Sequence, residues 1–136
     1  MTPHMIDEKT YPPRGWQAPP DLLQDRIAPV MEFARTRNLI VVLKGYRSLT
    51  VAPDGETWVN LTGNPGMASG GSGDVLSGML AGLAGQGMAP FEAACAAVWL
   101  HGHAGDLAAA EKAQASIMAS DLIDRIPEAL RTVSCR

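Results

Sequence analysis

The chain has 136 residues, 46% of them hydrophobic, and a formal net charge of −3, which predicts one domain with an ordinary core and, its Lys and Arg being scattered, no nucleic-acid partner. No apolar run reaches the length of a membrane span, and Met1-Thr2-Pro3-His4-Met5-Ile6-Asp7 lacks the basic and apolar regions of a signal peptide, so a soluble, cytoplasmic protein with no membrane partner is expected. Of the two cysteines, Cys95 lies in an Ala-rich segment and reads as a small core residue, and Cys135 precedes Arg136; neither a disulfide nor a metal site is expected from them.

Residues 1–20 contain Pro12, Pro13, Pro19, Pro20 and Gly15 with little periodicity and read as an irregular arm, which Trp16 can pin down. From Asp21 or Asp25, apolar residues at Ile27, Val30, Met31 and Ala34 predict a helix ending near Asn38, with Pro29 in its first turn or kinking it. Leu39-Ile40-Val41-Val42-Leu43 is a β-branched run of the kind found in strands covered on both faces of an α/β sheet. It ends at Lys44-Gly45. Ser48 to Ala52 and Glu56 to Leu61 flank Pro53-Asp54-Gly55 and predict an antiparallel hairpin.

Asn64 to Asp74 follows, with glycines at 66, 70, 71 and 73. Such a loop leaves backbone N–H groups uncovered and permits φ > 0, so it can wrap an oxyanion before a helix adds its own N–H groups and a partial positive charge of roughly half a unit. Asp74, where loop becomes helix, stands where a base that deprotonates an attacking hydroxyl would have to be. Asp is also a favoured N-cap, and Gly-rich loops often only turn the chain. The loop is neither a Walker A motif nor a dinucleotide fingerprint.

Val75, Leu76, Met79, Leu80 and Leu83 then mark a helical face, with Ser77, Gly78, Ala81 and Gly82 permitting close packing and Gly85 and Gly87 ending the helix. Pro90 is placed to open a largely buried helix through Val98, Trp99 and Leu100 toward Ala110. A last helix is expected from Ser120-Asp121, capped by the serine, with Pro127 starting or restarting its final turns. His101 and His103, two apart, read as packing or hydrogen-bonding residues rather than a shared metal site. Trp58 and Trp99 read as core or lid residues, and Met67 as a gap filler.

In open α/β sheets ligands bind beyond the carboxyl ends of strands, which makes Lys44-Gly45 a nucleotide candidate, against the simpler reading of a solvated strand end and a turn. With these pieces in view, Val41-Val42-Leu43-Lys44-Gly45, the Asn64 to Asp74 loop, Phe91-Glu92-Ala93-Ala94 with Leu100 to Asp106, and Ala119-Ser120-Asp121-Leu122-Ile123 together resemble the ADP/ATP-dependent NAD(P)H-hydrate dehydratases. These form the YjeF C-terminal branch of the ribokinase-like superfamily. The resemblance runs from about Ile27 to Leu130 and also touches Thr2-Pro3-His4, although Met5-Ile6-Asp7 stands where the family has Pro-Gly-Glu.

The resemblance implies an α/β, partial ribokinase-like three-layer fold, a small sheet with a β-hairpin covered by helices, in a single truncated domain matching the C-terminal half of the family's. It implies dehydration of hydrated NAD(P)H at the expense of ADP or ATP, with Mg²⁺ accompanying the nucleotide. Asp74 would be the catalytic base and a substrate contact, His4 a substrate-contacting histidine, and Lys44, Gly45, Tyr46, Arg47 and Ser48 the adenylate segment. Asn64, Gly70, Gly71, Ser72 and Gly73 would hold the nucleotide phosphates, the last three as the anion hole. An inactive adenine-nucleotide-binding or assembly module and a ribokinase-like small-molecule kinase are the alternatives. An apolar edge left on the Leu39 to Leu43 strand would seek a partner, so a homo-oligomer is expected.

Overall fold

The computed structural model describes residues 21–134, with side chains over 26–133. The irregular arm, Trp16, His4 and Cys135 lie outside the described residues. Among the described residues the chain is mixed α/β, with a three-stranded sheet and four helices. It divides into two compact units between Val59 and Asn60.

In the first unit, helix α1 spans Asp21–Arg37, with Pro29 inside it. Its C-terminus is set by Asn38 in the left-handed region at φ 52°. There the Leu39 N–H reaches back to the Ala34 carbonyl at 3.0 Å and the Asn38 N–H to Arg35 at 3.4 Å, the Schellman closure that Asn tolerates in place of Gly. Strands β1 (Val41–Leu43), β2 (Leu49–Val51) and β3 (Thr57–Val59) form an antiparallel sheet in that order. Val41 faces Val51 and Leu43 faces Leu49, while Leu49 faces Val59 and Val51 faces Thr57. These valines and leucines from β1 and β2 are buried with Val30 and Ala34 of α1, and Ile27, Met31, Phe33 and Val59 close the cluster.

The run expected to be covered on both faces is therefore shorter and less enclosed than its composition implies. Leu39 is 46% exposed, because its N–H caps α1, and Val42 is only half-buried. The strand buried on both faces is β2, whose Thr50 is fully enclosed. The hairpin turn follows its sequence signal. Gly55, at φ 97°, and the Asp54 carboxylate, accepting from Glu56 N–H at 3.0 Å, close it.

The second unit begins at Asn60. A short 3₁₀ turn, Pro65–Met67, precedes α2 (Ser72–Gly85), α3 (Pro90–Glu111), a second 3₁₀ turn at Gln114–Ser116, and α4 (Ala119–Ser134). Helix α3 packs against both α2 and α4. One cluster joins Leu100, Ala104 and Ala129 with Met79, Leu83, Trp99 and Leu107; another joins Ala108, Ile117 and Leu122 with Met67, Val75 and Ala109. Gly87, at φ 91°, ends α2, with Met88 N–H on the Leu83 carbonyl at 3.3 Å.

Four local expectations change. Ser77, Gly78, Ala81 and Gly82 face outward, with nothing within 4 Å of a Cβ built on either glycine, because the apolar face of α2 takes the interior. Helix α4 starts at Ala119, and its cap comes from Asp121 rather than Ser120: the Asp121 carboxylate accepts from the Met118 N–H at 2.8 Å. Cys95 is half-buried rather than fully enclosed. Pro127 lies inside α4 without interrupting it.

Candidate functional site

Glycine spacing positions the loop before α2. Gly71 stands at the N-cap in the left-handed region, φ 86°, with no side chain to cap the helix. The helix therefore begins at Ser72, earlier than the Val75 start the sequence implies, and Asp74 lies in its first turn. Asp74 and Val75 N–H both turn back to the Gly71 carbonyl at 3.1 Å, and Ser72 N–H to Ser69 at 3.3 Å. None of the described residues accepts a hydrogen bond from the N–H of Gly70, Gly71 or Gly73. Among the described residues, a Cβ built on Gly70 meets nothing within 4 Å, and the buried Ser69 hydroxyl has no partner. Unengaged donors, open space and an orphaned hydroxyl at a helix's positive end are the surroundings an oxyanion needs.

Asp74 is exposed and its carboxylate is free of hydrogen bonds and ion pairs among the described residues. It can therefore accept a proton from a bound hydroxyl. Ser72 sits differently from its neighbours: it is 5% exposed, its hydroxyl lies 3.3 Å from His101 Nε2, and its carbonyl accepts from that nitrogen at 2.8 Å. The Ser72 N–H turns back to the Ser69 carbonyl and its side chain belongs to the core.

Asn64 caps the Pro65–Met67 turn through Oδ1, which accepts from Gly66 N–H at 3.1 Å. Its Nδ2 donates to Asp106 Oδ1 at 3.0 Å, and Asp106 Oδ2 accepts from Gly63 N–H at 2.9 Å. Asp106 had no role in the sequence reading. The signal was present in Gly102 and Gly105, since mid-helix glycine is unfavourable by roughly 0.5–1 kcal/mol and marks a close approach. A Cβ on Gly102 would stand 2.7 Å from the Thr62 carbonyl carbon, and one on Gly105 2.6 Å from Met67 Cγ. Thr62 also donates its hydroxyl to the Trp99 carbonyl at 2.9 Å. Met67 fills the space beside Gly63 and Gly105 as expected of it.

His101 and His103 serve different neighbours. His101 reaches Ser72, while His103 stacks on Trp99 with ring centroids 4.9 Å apart, its buried Nε2 without a partner among the described residues.

In the first unit, Lys44 to Ser48 form a turn after β1, exposed at Gly45, Tyr46 and Arg47 and half-buried at Lys44 and Ser48. Ser48 Oγ accepts from Gly45 N–H at 3.3 Å and lies 3.2 Å from the Gly45 carbonyl, to which it can donate. Gly45 has φ 151°, and Arg26 Nη2 would lie 3.0 Å from a Cβ there. Arg47, itself at φ 56°, places its guanidinium 5.3 Å from the ring centroid of Tyr46, which is 74% exposed. Tyr46 thus presents an open ring face or edge of the kind on which a planar base can lie.

The family model described as NAD(P)H-hydrate dehydratase matches residues 1–128. The bifunctional NAD(P)H-hydrate repair enzyme Nnr of Moorella thermoacetica is 48% identical over 110 residues, covering 81% of this chain and 21% of that protein. The ADP-dependent (S)-NAD(P)H-hydrate dehydratase of Neisseria meningitidis serogroup B is 46% identical over 107 residues, 79% of this chain and 35% of that one. Among solved structures, the ADP/ATP-dependent NAD(P)H-hydrate dehydratase of Bacillus subtilis, co-crystallized with ATP/Mg²⁺, matches with a TM-score of 0.77 at 34% identity, over 82% of this chain and 40% of that chain. The chain thus spans 21%, 35% and 40% of the lengths of these three relatives.

Proposed function

The chain belongs to the NAD(P)H-hydrate dehydratase family, and on that premise we propose that it supplies the nucleotide-phosphate loop and catalytic base of ADP/ATP-dependent NAD(P)H-hydrate dehydration, within one ribokinase-like domain. The observation that carries this is the pairing, on the first turn of α2, of N–H groups at Gly70, Gly71 and Gly73 and an Asp74 carboxylate that have no partner among the described residues. The N–H groups would hold the transferring phosphoryl oxygens, where fixed dipoles stabilise developing charge without reorganising. Asp74 would take the proton of the ring hydroxyl as that oxygen attacks the terminal phosphorus. The bond to the leaving nucleotide breaks, giving AMP from ADP or ADP from ATP. Inorganic phosphate then leaves the ring, a proton is lost from the neighbouring carbon, and the dihydronicotinamide is restored.

In this reading Lys44, Gly45, Tyr46, Arg47 and Ser48 contact the adenylate, and His4 contacts the hydrated ring. Mg²⁺, which binds substrate phosphates with few protein carboxylates, would arrive with the nucleotide. Among the described residues no helix is long and apolar enough to cross a membrane; a cytoplasmic location belongs to the proposal. So does a homo-oligomer, supported by β1 pairing only with β2 among the described residues.

A thermal-shift panel with AMP, ADP, ATP and NAD(P)H, run beside a dehydration assay on hydrated NADH, tests the reading. At a hundredfold excess over its dissociation constant, a nucleotide that binds only the folded chain adds about 2.7 kcal/mol of stability, so ADP and ATP should raise the melting midpoint visibly. A flat panel with no dehydration overturns the proposal.

A further inference from the structure

The glycine loop is held at its entry by a relay that no part of the proposed chemistry uses. Asp106 Oδ2 accepts from Gly63 N–H, Asp106 Oδ1 accepts from Asn64 Nδ2, and Asn64 Oδ1 accepts from Gly66 N–H, at 2.9, 3.0 and 3.1 Å. Both ends of the Asn64 amide are thus engaged inside the fold. The carboxylate reaches the loop because the turn before it on α3 carries Gly102, on the same helical face, where Thr62 lies against bare backbone. Gly63 is at φ 102°, a conformation that an L side chain adopts only with strain, so the relay has a particular backbone shape to hold. A carboxylate that accepts from neutral donors makes stronger bonds than a neutral acceptor would.

We infer that Asp106 is a positioning residue for the phosphate loop, acting through Asn64, and that the Asn64 side chain orders the loop instead of touching nucleotide. The consequence for nucleotide rests on the function proposed above; the relay itself does not.

The donors and acceptors of this relay can be exchanged without changing its shape. In Asp106→Asn, an amide N–H₂ must face either the Asn64 N–H₂ or the Gly63 N–H. In Asn64→Asp, two carboxylates meet. In the double variant, the amide at 106 accepts from Gly63 and donates to the carboxylate at 64, whose other oxygen accepts from Gly66, so every bond is remade. The experiment measures amide hydrogen exchange at Gly63 and Gly66 by NMR, and ADP affinity by titration, in the 136-residue chain and the three variants.

Each single change should speed exchange at both glycines and weaken ADP by about tenfold, and the exchanged pair should return both to within about threefold of the parent. Singles that match the parent, or a pair no better than the worse single, overturn the inference. If a single variant fails to fold, a folded pair supports the relay and an unfolded pair overturns it. A parent chain that does not bind ADP sinks the proposed function instead, and the exchange rates then decide the relay alone.

Discussion

His101 donates from Nε2 to the main-chain carbonyl of Ser72 at 2.8 Å, tying the middle of α3 to the first residue of α2. A carbonyl cannot donate, so Nε2 carries the proton whatever the charge on the ring. With Asp106 on Gly63 and Asn64, one helix grips both ends of the glycine loop.

Truncating His101 to Ala should therefore cost about 1–3 kcal/mol, since it withdraws a buried donor. His101→Gln, which can present an N–H, should recover part of that. Urea denaturation of the two variants decides it: equal losses would mean that the imidazole contributes packing alone.

The glycines of neighbouring helices should respond with opposite signs. Gly78 faces open space, so Gly78→Ala should stabilise by roughly 0.5–1 kcal/mol through helix propensity. At Gly102 the new methyl would stand 2.7 Å from the Thr62 backbone, and Gly102→Ala should destabilise by about 1–3 kcal/mol as overpacking does. Melting midpoints of the pair check the contrast, and a stabilised Gly102→Ala would mean that the loop does not rest on α3.

What the sequence made legible is mostly local. Pro90 opens α3, Asp54-Gly55 turns the hairpin, and Ile27, Val30, Met31 and Ala34 turn inward from α1, because each signal is a property of the residue and its near neighbours. The length of β1 was not legible, because Leu39 continues the apolar run of Ile40 and Val41 but spends its N–H on the end of α1. Asp106 was hidden for a different reason: its partners lie more than forty residues earlier in the chain. Only the paired mid-helix glycines hinted that a loop crosses there. The glycine loop itself was readable as a candidate anion site, while the inward turn of the Ser72 side chain depended on His101.

Acid should weaken α4 at its start. The Lys112 ammonium, 2.5 Å from Asp121 Oδ1, and then the Met118 N–H hold the Asp121 carboxyl below its ordinary value. A depressed folded-state pKa gives stability that is fully present above the unfolded value, about 3.9, and is lost as pH falls through the folded one. The stability gap between the parent chain and Asp121→Ala should thus be constant from about pH 7 to pH 5 and shrink below about pH 4. Denaturation curves across that range test it, and a gap undiminished in strong acid would contradict the assignment.

The edge of β1 should bring copies together. Val41 and Leu43 are buried by α1 and β2, but among the described residues the strand has one hydrogen-bonded neighbour, and unpaired apolar edges recruit partners. Light scattering at micromolar concentration should give a multiple of the 14.4 kDa chain mass. A Val42→Lys variant should shift it toward the monomer, whereas a monomeric parent chain ends the prediction.

Asp74→Asn separates chemistry from binding. The residue is exposed in the first turn of α2, where loss of a carboxylate near the helix's positive end costs about 0.3–1 kcal/mol, so the fold should survive. On the base role proposed for it, its removal should lower kcat for hydrated NADH by about 10²–10⁴. Affinity for ADP should hold or tighten, because the change withdraws a negative charge from beside the phosphate loop. Turnover falling while affinity holds is the signature of a base acting at the reacting hydroxyl. Affinity and turnover falling together would instead make Asp74 part of the loop's architecture, and unchanged turnover would remove it from the chemistry.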